Sequence, residues 1–215
     1  MADKYRNFAE LARSERSGID YDVLVRRARP AFAIIAPHGG GIEPGTSEIA
    51  DAVADLTHSF YTFEGLKTSG NTDLHITSTR YDESMCLTVL GHTEVVVTLH
   101  GEHSEKDGEG VFLGGLDTVL GERIRSELTQ KGFNVRTHED PDLQGTDSCN
   151  LCNRGLTAAG VQLELSKSVR RTMFESFTRT GRKKTTQQFK VFVTALRAAL
   201  DRPIRRTQLK AAARS

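Results

Sequence analysis

Tryptophan is absent from this sequence, and no stretch interleaves aromatic with basic residues. That removes the stacking platforms on which proteins commonly hold single-stranded nucleic acid. Cysteine is scarce: Cys86, Cys149 and Cys152 are an odd number and build no disulfide framework. Cys149 and Cys152 form a lone Cys-x-x-Cys pair without the second pair that a zinc knuckle needs, and read as ordinary cysteines. No apolar run reaches the roughly 18 residues of a membrane span. Met1 to Ser14 is polar and mixed in charge, lacking the basic-then-apolar order of a secretory signal. The expectation is a cytoplasmic protein with no membrane partner, although a phage-type release would leave the same sequence. Charge of one sign is also lacking, since 29 Lys plus Arg against 28 Asp plus Glu leave a net charge of +1. Only local clusters, at Arg170-Arg171, Arg179 to Lys184 and Arg202 to Lys210, offer a phosphate-binding surface. A charge run is usually a solvated face, so a basic nucleic-acid-binding protein is the alternative ranked below an enzyme.

What is present suits a globular chain. The 215 residues, 37% hydrophobic and 27% charged, fit one domain over 1–215 with a basic tail from about residue 202. Phe32 to Ala36 is a continuous apolar run, as in a strand buried on both faces, and Glu94 to Leu99 is the strongest strand signal. Ser59 to Phe63, Leu74 to Ser78, Cys86 to Leu90, Gly110 to Gly114, Phe133 to Thr137 and Gly160 to Leu165 also read as strands, and Tyr21 to Arg27 as either a short strand or a turn of helix. Helices are expected over Glu48 to Leu56, with Thr46 and Ser47 as candidate N-caps, over Leu116 to Lys131, and over Phe189 to Leu200. Another begins within Ser168 to Phe174, and Thr178 to Thr185 reads as a solvated connection. Alternating strands and helices predict an α/β fold: three layers, with a mixed, mostly parallel sheet flanked by helices.

The chemistry concentrates where strands end. Pro37-His38-Gly39 and Leu99-His100-Gly101 each close a strand with a histidine followed by glycine. Glu43 follows His38 across a Gly-rich turn. Two imidazoles and a carboxylate make an open three-ligand zinc site whose fourth position is left for water. Glu48 competes with Glu43, but fits better as a first-turn helix residue. His103 is a weaker ligand than His100. His58, His92 and His138 read as surface or loop residues. Glu164, a carboxylate inside the apolar run Val161 to Leu165, is the candidate general base. Pairing with Arg170 or Arg171 at a sheet edge is its structural alternative. Asn150, Asn153 and Arg154 suggest a carboxylate clamp, with Arg80 a second group for an acidic ligand. His75 is either a substrate-side group or a filler of the core.

In Ala36-Pro37-His38-Gly39-Gly40-Gly41-Ile42-Glu43-Pro44-Gly45-Thr46, Tyr61 to Gly65, Leu74 to Ser78, Leu99-His100-Gly101, Gly114 to Asp117, Asn153-Arg154-Gly155 and Gly160 to Leu165 the chain resembles the poly-gamma-glutamate hydrolase family of phages and bacteria. The resemblance extends from about Tyr21 to Leu200. It implies a compact relative of zinc carboxypeptidases that binds one zinc ion and cleaves gamma-glutamyl amide bonds of an acidic polymer. By that resemblance His38, Glu43 and His100 are the metal ligands, Glu164 is the base, and Asn153 with Arg154 holds a substrate carboxylate. Zinc carboxypeptidases place two residues between the first His and the Glu. The four here require the loop to bulge. A zinc amidohydrolase acting on another acyl or peptide substrate is the enzyme alternative.

Overall fold

The computed structural model describes residues 3–102 and 108–201. His103 and the basic segment Arg202 to Lys210 lie outside the described residues. The strands are β1 (Tyr21–Arg26), β2 (Arg29–Gly40), β3 (His58–Gly65), β4 (Val95–Glu102), β5 (Val111–Gly114), β6 (Val135–Arg136) and β7 (Val161–Ser166). They form one sheet in the order β1-β3-β2-β4-β7-β5-β6. Four of its six pairings are parallel, while β1 with β3 and β5 with β7 are antiparallel. The helices are α1 (Phe8–Leu11), α2 (Thr46–Ala54), α3 (Ser84–Leu90), α4 (Thr118–Gln130), α5 (Lys167–Thr172) and α6 (Gln187–Asp201). Among the described residues no helix is long and apolar enough to cross a membrane.

Both faces of the central strands are buried, which is why they read as continuous apolar runs. Phe32, Ile34 and Ala36 of β2, with Val95, Val97 and Leu99 of β4 and Val161, Leu163 and Leu165 of β7, point to one face. There they pack on Ile49 and Val53 of α2, Leu120 and Ile124 of α4, and Phe192 and Leu196 of α6. Ala33, Ile35, Tyr61, Phe63 and Val96 turn to the opposite face, against Leu74, Ile76, Tyr81 and Cys86. Period-two alternation thus puts His100 of β4 and Glu164 of β7 on this second face, and the register pairs the two directly. His38 would by the same alternation follow Ile34 and Ala36 to the helix face. A β-bulge prevents this: Ala36 pairs with Thr62, but Gly39 pairs with Glu64, so β2 carries one extra residue.

Several expected elements differ. Leu74 to Ser78 is not a strand; it is held between two short 3-10 turns, Asn71–Leu74 and Ser78–Arg80. Its backbone groups are taken by side chains rather than a sheet: Ile76 O meets His38 Nε2 at 2.9 Å, and Thr77 N donates to Asp3 at 2.8 Å. Cys86 to Leu90 lies in α3. Its buried Cys86, Val89 and Leu90 have helical spacing, and the Glu83 carboxylate caps the N–H groups of Met85 and Cys86. The N-cap of α2 is Gly45 at φ +100°, leaving Thr46 and Ser47 inside the first turn. There the Thr46 hydroxyl donates to Glu43 O, and Ser47 Oγ accepts from Gly40 N. Thr178 to Thr185 is not simply solvated, because Arg182 is buried against Glu48 at 2.7 Å. His58 and His138 are buried rather than surface groups, whereas His92 is exposed.

Candidate active site

Glu43 follows the bulge in a turn closed by its own N–H on His38 O at 2.9 Å. The turn folds its carboxylate back over the strand ends. Oε1 lies 3.1 Å from His38 Nδ1, and Oε2 accepts from the Gly101 N–H at 2.7 Å. His100 Nδ1 is 3.2 Å from His38 Nδ1 and 3.9 Å from Glu43 Oε2. All three side chains are buried. Glu43, not Glu48, is therefore the carboxylate that reaches the histidines.

The hydrogen bonds require a proton or a cation among these three groups. His38 Nε2 faces a carbonyl oxygen, which can only accept, so Nε2 carries hydrogen. In a neutral ring Nδ1 then turns a lone pair toward a carboxylate oxygen and a second imidazole nitrogen. That arrangement is repulsive unless a proton or a cation lies among the three. Burial works against a charged His38, but the Glu43 carboxylate outweighs it and raises the His38 pKa. Burial likewise pushes Glu43 up, yet the neighbouring charge and hydrogen bond of His38, with His100 behind, hold it below the usual carboxylate range. His100 is driven down to about 3, chiefly by burial, and its Nε2 has no hydrogen-bond partner among the described residues. A buried imidazole kept neutral is in the form that binds metal. Two nitrogens and a carboxylate oxygen converging in this way fit a zinc ion.

His75 flanks the same pair from outside. Its ring is 4.0 Å from the His38 ring, and His38, Glu43 and His75 offer ligand atoms within 4.8 Å of one another. His75 and His100 are thus rival third members of one set built on His38 and Glu43. His100 is the deeper of the two. The ring of His75 is partly exposed, and its Nδ1 is held by Asp3 at 2.7 Å.

Glu164 is buried beside His100. Its Oε1 accepts from Gln162 Nε2 at 3.1 Å, while Gln162 Oε1 accepts from Asn150 Nδ2 at 3.0 Å. Burial above all, then the charges of Glu43 and Glu102, raise its pKa well above the ordinary carboxyl value, with Arg170 opposing. Arg170 is 1% exposed and spans three backbone carbonyls: Leu165 at 3.1 Å, Pro44 at 2.7 Å and Glu102 at 3.0 Å. It ties together the segments that carry Glu43, His100 and Glu164. Gly101 permits this, since a Cβ there would lie 2.6 Å from Arg170 Cζ.

The expected clamp is only partly free for a ligand. Asn153 donates both amide hydrogens, to Gly145 O and Asp147 O at 2.8 Å each, and accepts from the N–H groups of Leu116 and Gly160. With no donor left, Asn153 is a loop brace and not a carboxylate ligand. Asn150 is also committed, orienting Gln162. Arg154 is partly exposed and donates to Tyr81 O at 2.7 Å, and the Tyr81 ring stands 6.4 Å from that of His38. Arg80 is half exposed and shares Asp3 with His75. Cys149 is exposed and Cys152 buried, and both are free thiols. Sequence reasoning missed Asp3 and Gln162. Only Gln162 carried a signal, being two residues before Glu164 on the same face of an apolar strand.

These observations define an α/β protein with a buried histidine–carboxylate cluster that could hold a cation at the carboxyl ends of its central strands, where ligands of open α/β sheets bind. The chain belongs to the poly-gamma-glutamate hydrolase family, whose model matches residues 5–195. It is 42% identical over 188 residues to the SPbeta prophage-derived UPF0714 protein YoqZ of Bacillus subtilis (strain 168), covering 87% of this chain and 67% of the relative. Its structure is similar to that of a bacteriophage poly-gamma-glutamate hydrolase, with a TM-score of 0.88 and 36% identity over 92% of this chain and 96% of the other. It is also similar to a zinc-free apo form of YNDL, with a TM-score of 0.87 and 34% identity over 93% and 98% of the two chains.

Proposed function

We propose that this chain hydrolyses gamma-glutamyl amide bonds of poly-gamma-glutamate, with a zinc ion held by His38, Glu43 and His100 and Glu164 as general base. The observation that carries this reading is the convergence of His38 Nδ1, His100 Nδ1 and the Glu43 carboxylate in a buried cluster. A phage relative that hydrolyses this polymer, and a relative described as zinc-free, support it. A zinc ion there would supply a water of pKa about 7 and polarise a carbonyl. Glu164 takes a proton from the attacking water and returns it to the leaving nitrogen. Asn150 and Gln162 fix the direction of its carboxylate. Burial and the neighbouring carboxylates favour the protonated form of Glu164, and a nearby positive charge favours the ionised form that a base requires. Arg80, which shares Asp3 with His75, and Arg154, which donates to Tyr81 O, are the cations assigned to a polymer that carries one free carboxylate per unit.

The test is turnover of poly-gamma-glutamate by zinc-loaded protein beside a panel of alpha-linked glutamyl peptides and N-acyl amino acids. Cleavage of the gamma-linked polymer, abolished by chelation and restored by zinc, is the expected result. Preference for the alpha-linked or N-acyl substrates would replace the assigned substrate while keeping the site.

A further inference from the structure

Asp3 precedes every strand in the chain, yet its side chain is only 2% exposed. Oδ1 lies 2.7 Å from His75 Nδ1. Oδ2 accepts from Thr77 N at 2.8 Å and from Arg80 Nη2 at 2.8 Å. The N-terminal segment is thereby fastened to the loop over the site, and a single carboxylate holds both His75 and Arg80. Those two side chains remain about one-third and one-half exposed, and the His75 ring lies against His38. His75 thus borders the site, and Arg80 is joined to it through the shared Asp3 carboxylate.

We propose that Asp3 is a positioning residue for substrate binding, aligning Arg80 toward a carboxylate and His75 toward an amide N–H of the bound gamma-glutamyl chain. A carboxylate accepts only, so His75 Nδ1 carries the hydrogen that meets Asp3, and Nε2 is left as an acceptor facing away from it. Arg80 commits Nη2 to Asp3 and Thr77, and the rest of its planar donor fork matches a carboxylate. A gamma-linked glutamate unit offers both groups, one amide N–H and one free carboxylate. Thr77 N contributes a third bond to Asp3 that fixes the carboxylate itself. This inference rests on the substrate assigned above.

The experiment measures kcat and KM on poly-gamma-glutamate, with zinc affinity from chelator competition, for wild type, Asp3→Asn, Arg80→Ala, His75→Gln and the Asp3→Asn/Arg80→Ala double variant. Asp3→Asn is expected to raise KM about tenfold or more while kcat changes by less than about threefold and zinc affinity stays unchanged. The double variant should lose less than the sum of the two single losses, because part of the Asp3 effect runs through Arg80, and what it loses beyond Arg80→Ala is the share carried by His75. An unchanged KM, or a KM loss matched by an equal loss of zinc affinity, overturns the proposal; the second result would place Asp3 behind a metal ligand. Should Asp3→Asn fail to fold, Arg80→Ala and His75→Gln decide, since both must raise KM with Asp3 in place. Failure of wild-type zinc-loaded protein to cleave the polymer would instead sink the substrate assignment, so the two failures are separable.

Discussion

Glu164→Gln separates chemistry from stability because the same burial acts on each in opposite directions. The residue is 6% exposed, and its Oε1 has one amide donor, Gln162. Glutamine keeps the volume and an acceptor, but cannot take a proton. Removing a general base costs about 10²–10⁴-fold in kcat, which converts to about 2.7–5.5 kcal/mol of transition-state stabilisation. Stability moves the other way. The folded-state pKa of Glu164 is raised above its ordinary 4.5 by burial first and then by Glu43 and Glu102. Above pH 4.5 the unfolded chain releases this proton while the fold still holds it, so the group destabilises the metal-free protein as pH rises through the folded value. Glutamine removes that penalty. Metal-free Glu164→Gln should therefore match or exceed wild type in urea midpoint at pH 7 to 8 and equal it below about pH 4.5. Turnover on poly-gamma-glutamate should fall by the factor above with zinc content unchanged. A fully active variant refutes the assigned base. A variant that also loses zinc shows that Glu164 belongs to the metal set.

Arg170→Met should destabilise by about 3–5 kcal/mol in chemical denaturation, because it strands three carbonyls and removes the cation among buried carboxylates. Arg170→Lys should recover only part, since an ammonium cannot span the same three oxygens. Asn153→Ala should cost about 1–3 kcal/mol by freeing four backbone partners, and should leave KM near the wild-type value well below its melting temperature. A raised KM without lost stability would restore Asn153 as a ligand group. In chelator, His100→Asn should flatten the pH dependence of stability between about 4.5 and 6.5. The buried His100 stays neutral down to about pH 3, whereas the unfolded chain binds a proton below 6.5. Stability in wild type therefore falls with falling pH through this window, and the variant's slope should be smaller by up to about 1.4 kcal/mol per pH unit. Equal slopes would contradict the buried, neutral ring.

The architecture was readable because the strands that build the core obey strict alternation. Phe32, Ile34 and Ala36 divide from Ala33 and Ile35 as a period of two requires, and the long amphipathic pattern from Leu116 gave α4. Short apolar windows failed. Cys86 to Leu90 fits either period over five residues, and the cap that decides it, Glu83, lies outside the window. The histidines and Glu43 were legible as residue types at strand ends. Their meeting was not, because one extra residue between Ala36 and Gly39 moves His38 to the face of His100. Asn153 misled for a related reason: an amide beside arginine looks like a ligand until its partners, spread from Leu116 to Gly160, are in view. Asp3 carried no local signal, since its partners begin 72 residues away.

His38 and Glu43 of one turn, with His100 brought in from 62 residues away, are proposed to enclose one cation. Zinc titration of purified metal-free protein, followed by calorimetry and elemental analysis, tests it most directly when His38→Ala, Glu43→Gln, His100→Ala and His75→Ala are run together. One zinc per chain is expected in wild type and His75→Ala, with affinity lost in the other three. Stoichiometric zinc in His100→Ala together with its loss in His75→Ala would contradict the ligand set, and no zinc bound by wild type would contradict the site altogether.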